Sequence, residues 1–132
     1  MRIVVQEWEK VLVYRDGRFE RELGPGRHRL RRWRRRTSRV SVRPRLLVVP
    51  AQEVLTADGL AVRVGLTATV RVAEARRWLE TVDDPEAFVY TALQLALREA
   101  TSARTLDELL TARASVGDEL GAGVAPVAAE VG

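Results

Sequence analysis

The feature that most constrains the fold lies between Val62 and Val72. Val62, Val64, Leu66, Ala68, Val70 and Val72 alternate with Arg63, Gly65, Thr67, Thr69 and Arg71. A strict period of two puts the first set on one face of a strand and the second on the other, so it describes a sheet covered on one side and wet on the other. Directly afterwards the period changes. Ala73 to Thr81 suits a short helix carrying Trp78 and Leu79 inward, and every later segment repeats at helical spacing.

Before that strand the chain reads as strands and turns. Val11, Val13 and Phe19 flank Arg15-Asp16-Gly17-Arg18, and Asp-Gly between apolar-rich runs predicts a hairpin, because glycine accepts the positive φ of a primed turn. Gly24-Pro25-Gly26 marks a reversal. Arg39-Val40-Ser41-Val42-Arg43 alternates, Leu46 to Val49 reads as a more fully buried run, and Asp58-Gly59 is a second turn. Trp8 and Trp78 fall among apolar periodic positions and are expected in the core.

After it, Asp84-Pro85-Glu86 is a helix start: a capping carboxylate, proline at the first helical position, and an acid near the positive end of the dipole. Val89, Leu93, Ala96, Leu97 and Ala100 form its buried stripe. Thr105 with Glu108 is a capping box opening a further helix with Leu106, Leu109, Leu110, Arg113, Val116 and Leu120 on one side, and Gly121, Gly123 and Pro126 weaken or kink its continuation. Strands first and helices afterwards predict an α+β fold, an antiparallel β-sheet followed by packed α-helices.

The chain's 132 residues suffice for one domain with a core. Without cysteine there is no disulfide scaffold, thiolate metal site, thiol nucleophile or palmitoyl acceptor. No run approaches the roughly 18 to 20 apolar residues of a membrane-spanning helix, so a soluble domain of cytoplasmic type is expected. His28 is the only histidine, which leaves a histidine metal site or a Ser-His-Asp triad without partners; an exposed turn residue is expected there. Asp83-Asp84 could be a carboxylate pair for acid–base or metal chemistry, but helix capping before Pro85 accounts for them more simply. No catalytic residue, cofactor or metal site is expected, and the chain reads as a non-enzyme.

Charge is distributed unevenly. Residues 1–50 carry fifteen basic and five acidic side chains, and residues 51–132 carry seven and thirteen, so a net +10 faces a net −6. Ten arginines fall between Arg27 and Arg45, with Lys10 the only lysine of the chain. The candidate site is Arg27, Arg29, Arg31, Arg32, Trp33, Arg34, Arg35, Arg36 and Arg39. Three readings compete for it. An anionic membrane surface would attract such a segment by roughly 1 kcal/mol per basic residue, with Trp33 at the interface. Nucleic acid would use the same guanidiniums on phosphates and Trp33 for stacking. A solvated hairpin whose arginines pair with acids of the same or a neighbouring subunit is the third.

Read together, Glu9 to Gly17, Gly24-Pro25-Gly26, Val40 to Arg43, Gln52-Glu53-Val54-Leu55-Thr56-Ala57-Asp58-Gly59, Val62 to Val72, Asp84-Pro85, Leu97-Arg98 and Thr105-Leu106-Asp107-Glu108-Leu109-Leu110 resemble, in order and spacing, the stomatin/prohibitin/flotillin family, the SPFH or band 7 domain. Thr-Ala-Asp-Gly and Thr-Leu-Asp-Glu-Leu-Leu are the more specific pieces. The resemblance implies a non-enzymatic, membrane-associated scaffold that forms homo-oligomers and organises or regulates membrane proteins, a protease or channel among them, from the cytoplasmic side of the inner membrane. It also implies a single domain over residues 1–132, truncated at its C-terminus and without the N-terminal membrane anchor of relatives. The stretch from Gly26 to Val40, often partly apolar in relatives, is here full of arginine, which points to electrostatic attachment. The alternatives are a nucleic-acid-binding module using the Arg27–Arg45 segment and a soluble self-assembling domain.

Overall fold

A computed structural model describes every residue from Met1 to Gly132 and gives an α+β architecture of seven strands and four helices. The strands are β1 (Arg2–Val5), β2 (Glu9–Arg15), β3 (Arg18–Leu23), β4 (Gly26–Arg29), β5 (Arg35–Ser41), β6 (Arg45–Leu55) and β7 (Ala61–Val70). The helices are α1 (Ala75–Glu80), α2 (Pro85–Ser102), α3 (Leu106–Thr111) and α4 (Arg113–Glu130). They form two compact units. The first comprises Met1–Arg45, Val70–Glu80 and Gly132; the second comprises Leu46–Thr69 and Thr81–Val131.

In the first unit β2 is the centre of an antiparallel sheet ordered β3-β2-β5. Three consecutive residues, Val11, Leu12 and Val13, are buried, which a strand allows only when both faces are covered. Val11 and Val13 pack with Leu23, Leu30 and with Ile3 and Val5 of the separate β1–β4 ribbon. Leu12 packs the other way, with Val40, Val72 and Ala75 of α1, flanked by Tyr14, Phe19, Val42 and Trp78. The Tyr14 hydroxyl donates to Glu80 at 3.0 Å; burial first, and then this bond, pushes its pKa up.

The Asp16-Gly17 turn forms as its sequence predicts, with φ +49° and +81°. A register shift between Val13 and Tyr14 leaves Glu20 as the extra residue of β3. Two apolar side chains expected in the core of this unit are exposed. Trp8 is 41% exposed because it sits in the turn between β1 and β2, where strand periodicity no longer applies, and the Arg43 guanidinium covers its ring at 4.9 Å. Leu79 points outward, since a helix of six residues has room for only one inward stripe, held by Ala75 and the partly buried Trp78.

The second unit joins the β6–β7 hairpin to α2, α3 and α4. Strand β7 alternates as expected, with Val62, Val64, Leu66, Ala68 and Val70 on the half-buried side. Leu46 to Val49 do not form a buried run. They alternate, Leu46 and Val48 being 68% and 56% exposed while Leu47 and Val49 are buried, because a two-stranded ribbon is covered on one face only. On α2, Val89, Leu93, Leu97 and Thr101 are buried, and Asp84 accepts the Ala87 N–H at 3.1 Å as the cap. Capping is therefore what Asp84 does.

The hairpin turn and α3 are bonded to each other. Thr56, a buried polar residue, donates its hydroxyl to the Asp58 carboxylate and accepts the Leu60 N–H at 3.0 Å. The turn reaches the start of α3 through its backbone, the Ala57 N–H donating to the Arg104 carbonyl at 2.8 Å, and the nearby Leu106 N–H adds to the lowering of the Asp58 pKa. The hydroxyl of Thr105 accepts the Glu108 N–H, completing that start. The predicted single helix after Thr105 is two: Thr111 donates its hydroxyl back to the Asp107 carbonyl, a local bond that competes with regular helix, and Ala112 departs to φ −122°, ψ 31°. Helix α4 continues through Gly121, Gly123 and Pro126 to Glu130. None of the α3 leucines is fully buried; with Val62, Val64 and Leu66 they line an open groove of about 400 Å³.

Candidate anion-binding surface

The β1–β4 ribbon sorts its side chains by register. Ile3 stands opposite His28 on the side that packs on the sheet, and Arg2 opposite Arg29 and Val4 opposite Arg27 on the other. The outer face thus carries Arg2, Arg27 and Arg29. His28 is a strand residue and not the exposed turn residue expected, half-buried and 2.7 Å from the Gly24 carbonyl, where it ties the start of β4 to the preceding turn.

Beyond β4, buried Leu30 is fixed by its N–H bond to the Met1 carbonyl at 2.9 Å, and the four residues that follow are exposed. Arg31 and Arg32 are exposed and Trp33 is 71% exposed. Arg34 takes the left-handed conformation, φ +59°, which an L-residue adopts at a cost. Two bonds to Asp16 hold it there: the Asp16 N–H donates to the Arg34 carbonyl at 3.0 Å, and the Arg34 Nε donates to the Asp16 carboxylate at 2.8 Å. Its guanidinium lies 5.0 Å from the Trp33 ring centroid.

The nine nominated residues therefore separate. Arg27, Arg29, Arg31, Arg32 and Trp33 are exposed and take part in no ion pair. Arg34 is matched by Asp16, Arg39 by Glu9 at 2.5 Å, and Arg35 by Glu20 through two parallel bonds of 2.8 and 3.0 Å. The bulge in β3 is what brings Glu20 to Arg35, and that guanidinium holds the Glu20 carboxyl below the usual carboxylate range. Arg36 pairs in register with Tyr14, on the α1 side of the sheet, away from the ribbon. Arg2, unremarkable in the sequence, joins the ribbon's outer face; its partnership with Arg29 is visible only once the register is known.

The charge asymmetry of the sequence is sharpened in the two units, because Val70–Glu80 joins the first. The first unit holds eighteen basic and seven acidic side chains, net +11, and the second four and eleven, net −7. No three histidine, cysteine, aspartate or glutamate side chains gather as a metal site.

Fold and surface together define an α+β domain whose most concentrated feature is an exposed basic face. The chain belongs to the SPFH domain / Band 7 family, whose family model matches residues 3–132. Among its relatives, an uncharacterized protein of Methanocaldococcus jannaschii is 28% identical over 118 residues, 89% of this chain and 59% of the relative. A Band 7 protein of Drosophila melanogaster is 32% identical over 86% of this chain and 23% of its own length. A stomatin homolog of Pyrococcus horikoshii is 29% identical over 89% of this chain and 44% of its own length. The chain thus spans between about a quarter and three fifths of these relatives.

Proposed function

We propose that this domain is a non-enzymatic scaffold that docks on an anionic membrane surface, assembles with copies of itself and organises or regulates membrane proteins, a membrane protease or channel being the type of client. In this reading it works on the cytoplasmic face of the inner membrane, peripherally or through an anchor. One observation carries the reading: in a Band 7 family chain, Arg2, Arg27, Arg29, Arg31 and Arg32 stand exposed and unpaired beside exposed Trp33. Charges near an anionic leaflet add attraction, and one indole at headgroup depth is a marginal anchor that needs them.

The test is Trp33 fluorescence in a chain carrying Trp8→Phe and Trp78→Phe. Vesicles containing phosphatidylglycerol should shift its emission to the blue, neutral phosphatidylcholine vesicles should do little, and added salt should reverse the shift. Tight binding to oligonucleotides without any vesicle response, with Trp33→Ala removing about 1 to 3 kcal/mol of it, would replace the membrane reading by nucleic-acid binding.

A further inference from the structure

The outer face of the β1–β4 ribbon has a geometry more specific than a basic patch. Arg2 and Arg29 are directly opposed, so their Cβ atoms lie about 4.5–5.5 Å apart, and Arg27 stands diagonally from Arg2 at about 7–8 Å. Arg27 and Arg29, two residues apart on one strand, are separated by about 6.5–7 Å. Like charges directly across a strand pair repel. Neighbouring Arg39 relieves its own charge on Glu9 and the Val4 carbonyl, yet no carboxylate of the chain bonds to Arg2, Arg27 or Arg29. Three arginine side chains thus leave neighbouring positions of one ribbon face with no carboxylate partner.

We infer that this triangle binds a headgroup carrying two phosphates on one molecule, Arg2 and Arg29 gripping one phosphate between them and Arg27 taking the second. Guanidinium forks match phosphate oxygens bidentately, so a phosphate set between two of them satisfies both without displacing either strand. A headgroup of one phosphate diester brings a single negative charge and leaves most of the repulsion in place. The proposal rests on the membrane-docking reading above and names the lipid chemistry that reading would prefer. Flanking Arg31, Arg32 and Trp33 serve any anionic surface alike, whereas the triangle discriminates.

Binding of the full 132-residue chain is compared on phosphatidylcholine vesicles doped with cardiolipin, which has two phosphates per molecule, or with phosphatidylglycerol, at equal total negative charge. Affinity for the cardiolipin vesicles should be about tenfold higher. Arg2→Gln or Arg29→Gln should bring the two affinities within about threefold of each other, whereas Arg63→Gln, which removes an exposed unpaired arginine elsewhere, should leave the preference intact. Circular dichroism confirms that each variant is folded. Equal affinity for both vesicles at equal charge overturns the two-phosphate inference and leaves membrane docking standing. No response to either vesicle, with pyrophosphate but not orthophosphate binding in an Arg29-dependent way, supports the two-phosphate chemistry from a soluble source and overturns membrane docking. No binding to vesicles or to pyrophosphate overturns both.

Discussion

Asp58 shows how one short side chain ties together two distant pieces of sequence. It accepts the Thr56 hydroxyl and has the Leu106 N–H close enough to lower its pKa, while the adjoining Ala57 N–H bonds to the Arg104 carbonyl, so the Thr-Ala-Asp-Gly turn meets the start of the Thr-Leu-Asp-Glu-Leu-Leu helix. Both had stood out as specific motifs; that they serve one structural joint was not legible, because nothing in a linear sequence says which turn meets which helix start. Gly59 is constrained by the same turn, at φ +80°. The Thr56 hydrogen bond, more than any other effect, holds the Asp58 carboxyl below its ordinary 3.8. A depressed carboxylate pKa contributes stability that is fully present above the unfolded value and is lost as pH falls through the folded one. Asp58→Asn should therefore lower Tm at pH 7, and the gap from the parent chain should narrow at about pH 3, where the unfolded carboxyl is already protonated. Thermal melts at the two pH values decide it: an unchanged gap would mean that the ionised carboxylate contributes nothing beyond its shape.

At the scale of elements, local signals were readable and pairings were not. The two Asp-Gly turns, the period-two alternation of β7 and the Asp84-Pro85 helix start are each fixed by neighbours a few residues away, and each is found as expected. The β1–β4 ribbon closes a loop of twenty residues, 6–25, and the exposure of Leu46, Val48 and Trp8 depends on which faces other elements cover; neither is encoded locally. Strand β7 gives the sharpest check of the register. Leu66 faces the helices, and an arginine there places a charge against apolar groove walls, so Leu66→Arg should cost about 2 kcal/mol or more. Thr67 is exposed on the other face, and Thr67→Arg should stay within about 0.5 kcal/mol. Between them in kind is Gly65, where an added Cβ would stand 2.9 Å from the Val49 carbonyl oxygen and 3.0 Å from the Ala51 N–H. Because both neighbours are backbone, Gly65→Ala should cost about 1 to 3 kcal/mol. Chemical denaturation of the three variants should rank Thr67→Arg clearly above the other two in stability; a harmless Leu66→Arg would mean that β7 presents the opposite face.

For the whole molecule the decisive property is the division of charge, +11 in one unit and −7 in the other. Intramolecular pairing uses part of each set: Asp16, Glu20 and Glu9 neutralise arginines within the basic unit, and Glu119 pairs with Arg104 within the acidic one. What is left is complementary between copies. A basic unit on one chain can meet an acidic unit on the next, which draws copies together whether the contact closes at two or continues. Such contacts are steered by charge and are screened once the Debye length, about 30 Å at 0.01 M salt, shrinks to about 3 Å at 1 M. Weight-average mass from sedimentation should therefore rise with protein concentration at low salt and return to the monomer value at high salt. Asp107→Asn with Asp118→Asn, two exposed acids outside every ion pair, should weaken the association at low salt and leave the monomer folded. A strict monomer at high concentration and low salt would remove charge-driven self-assembly, and any oligomer that survived 1 M salt unchanged would have to be held by apolar surface, for which the exposed Leu46 and Val48 of β6 are the first residues to replace.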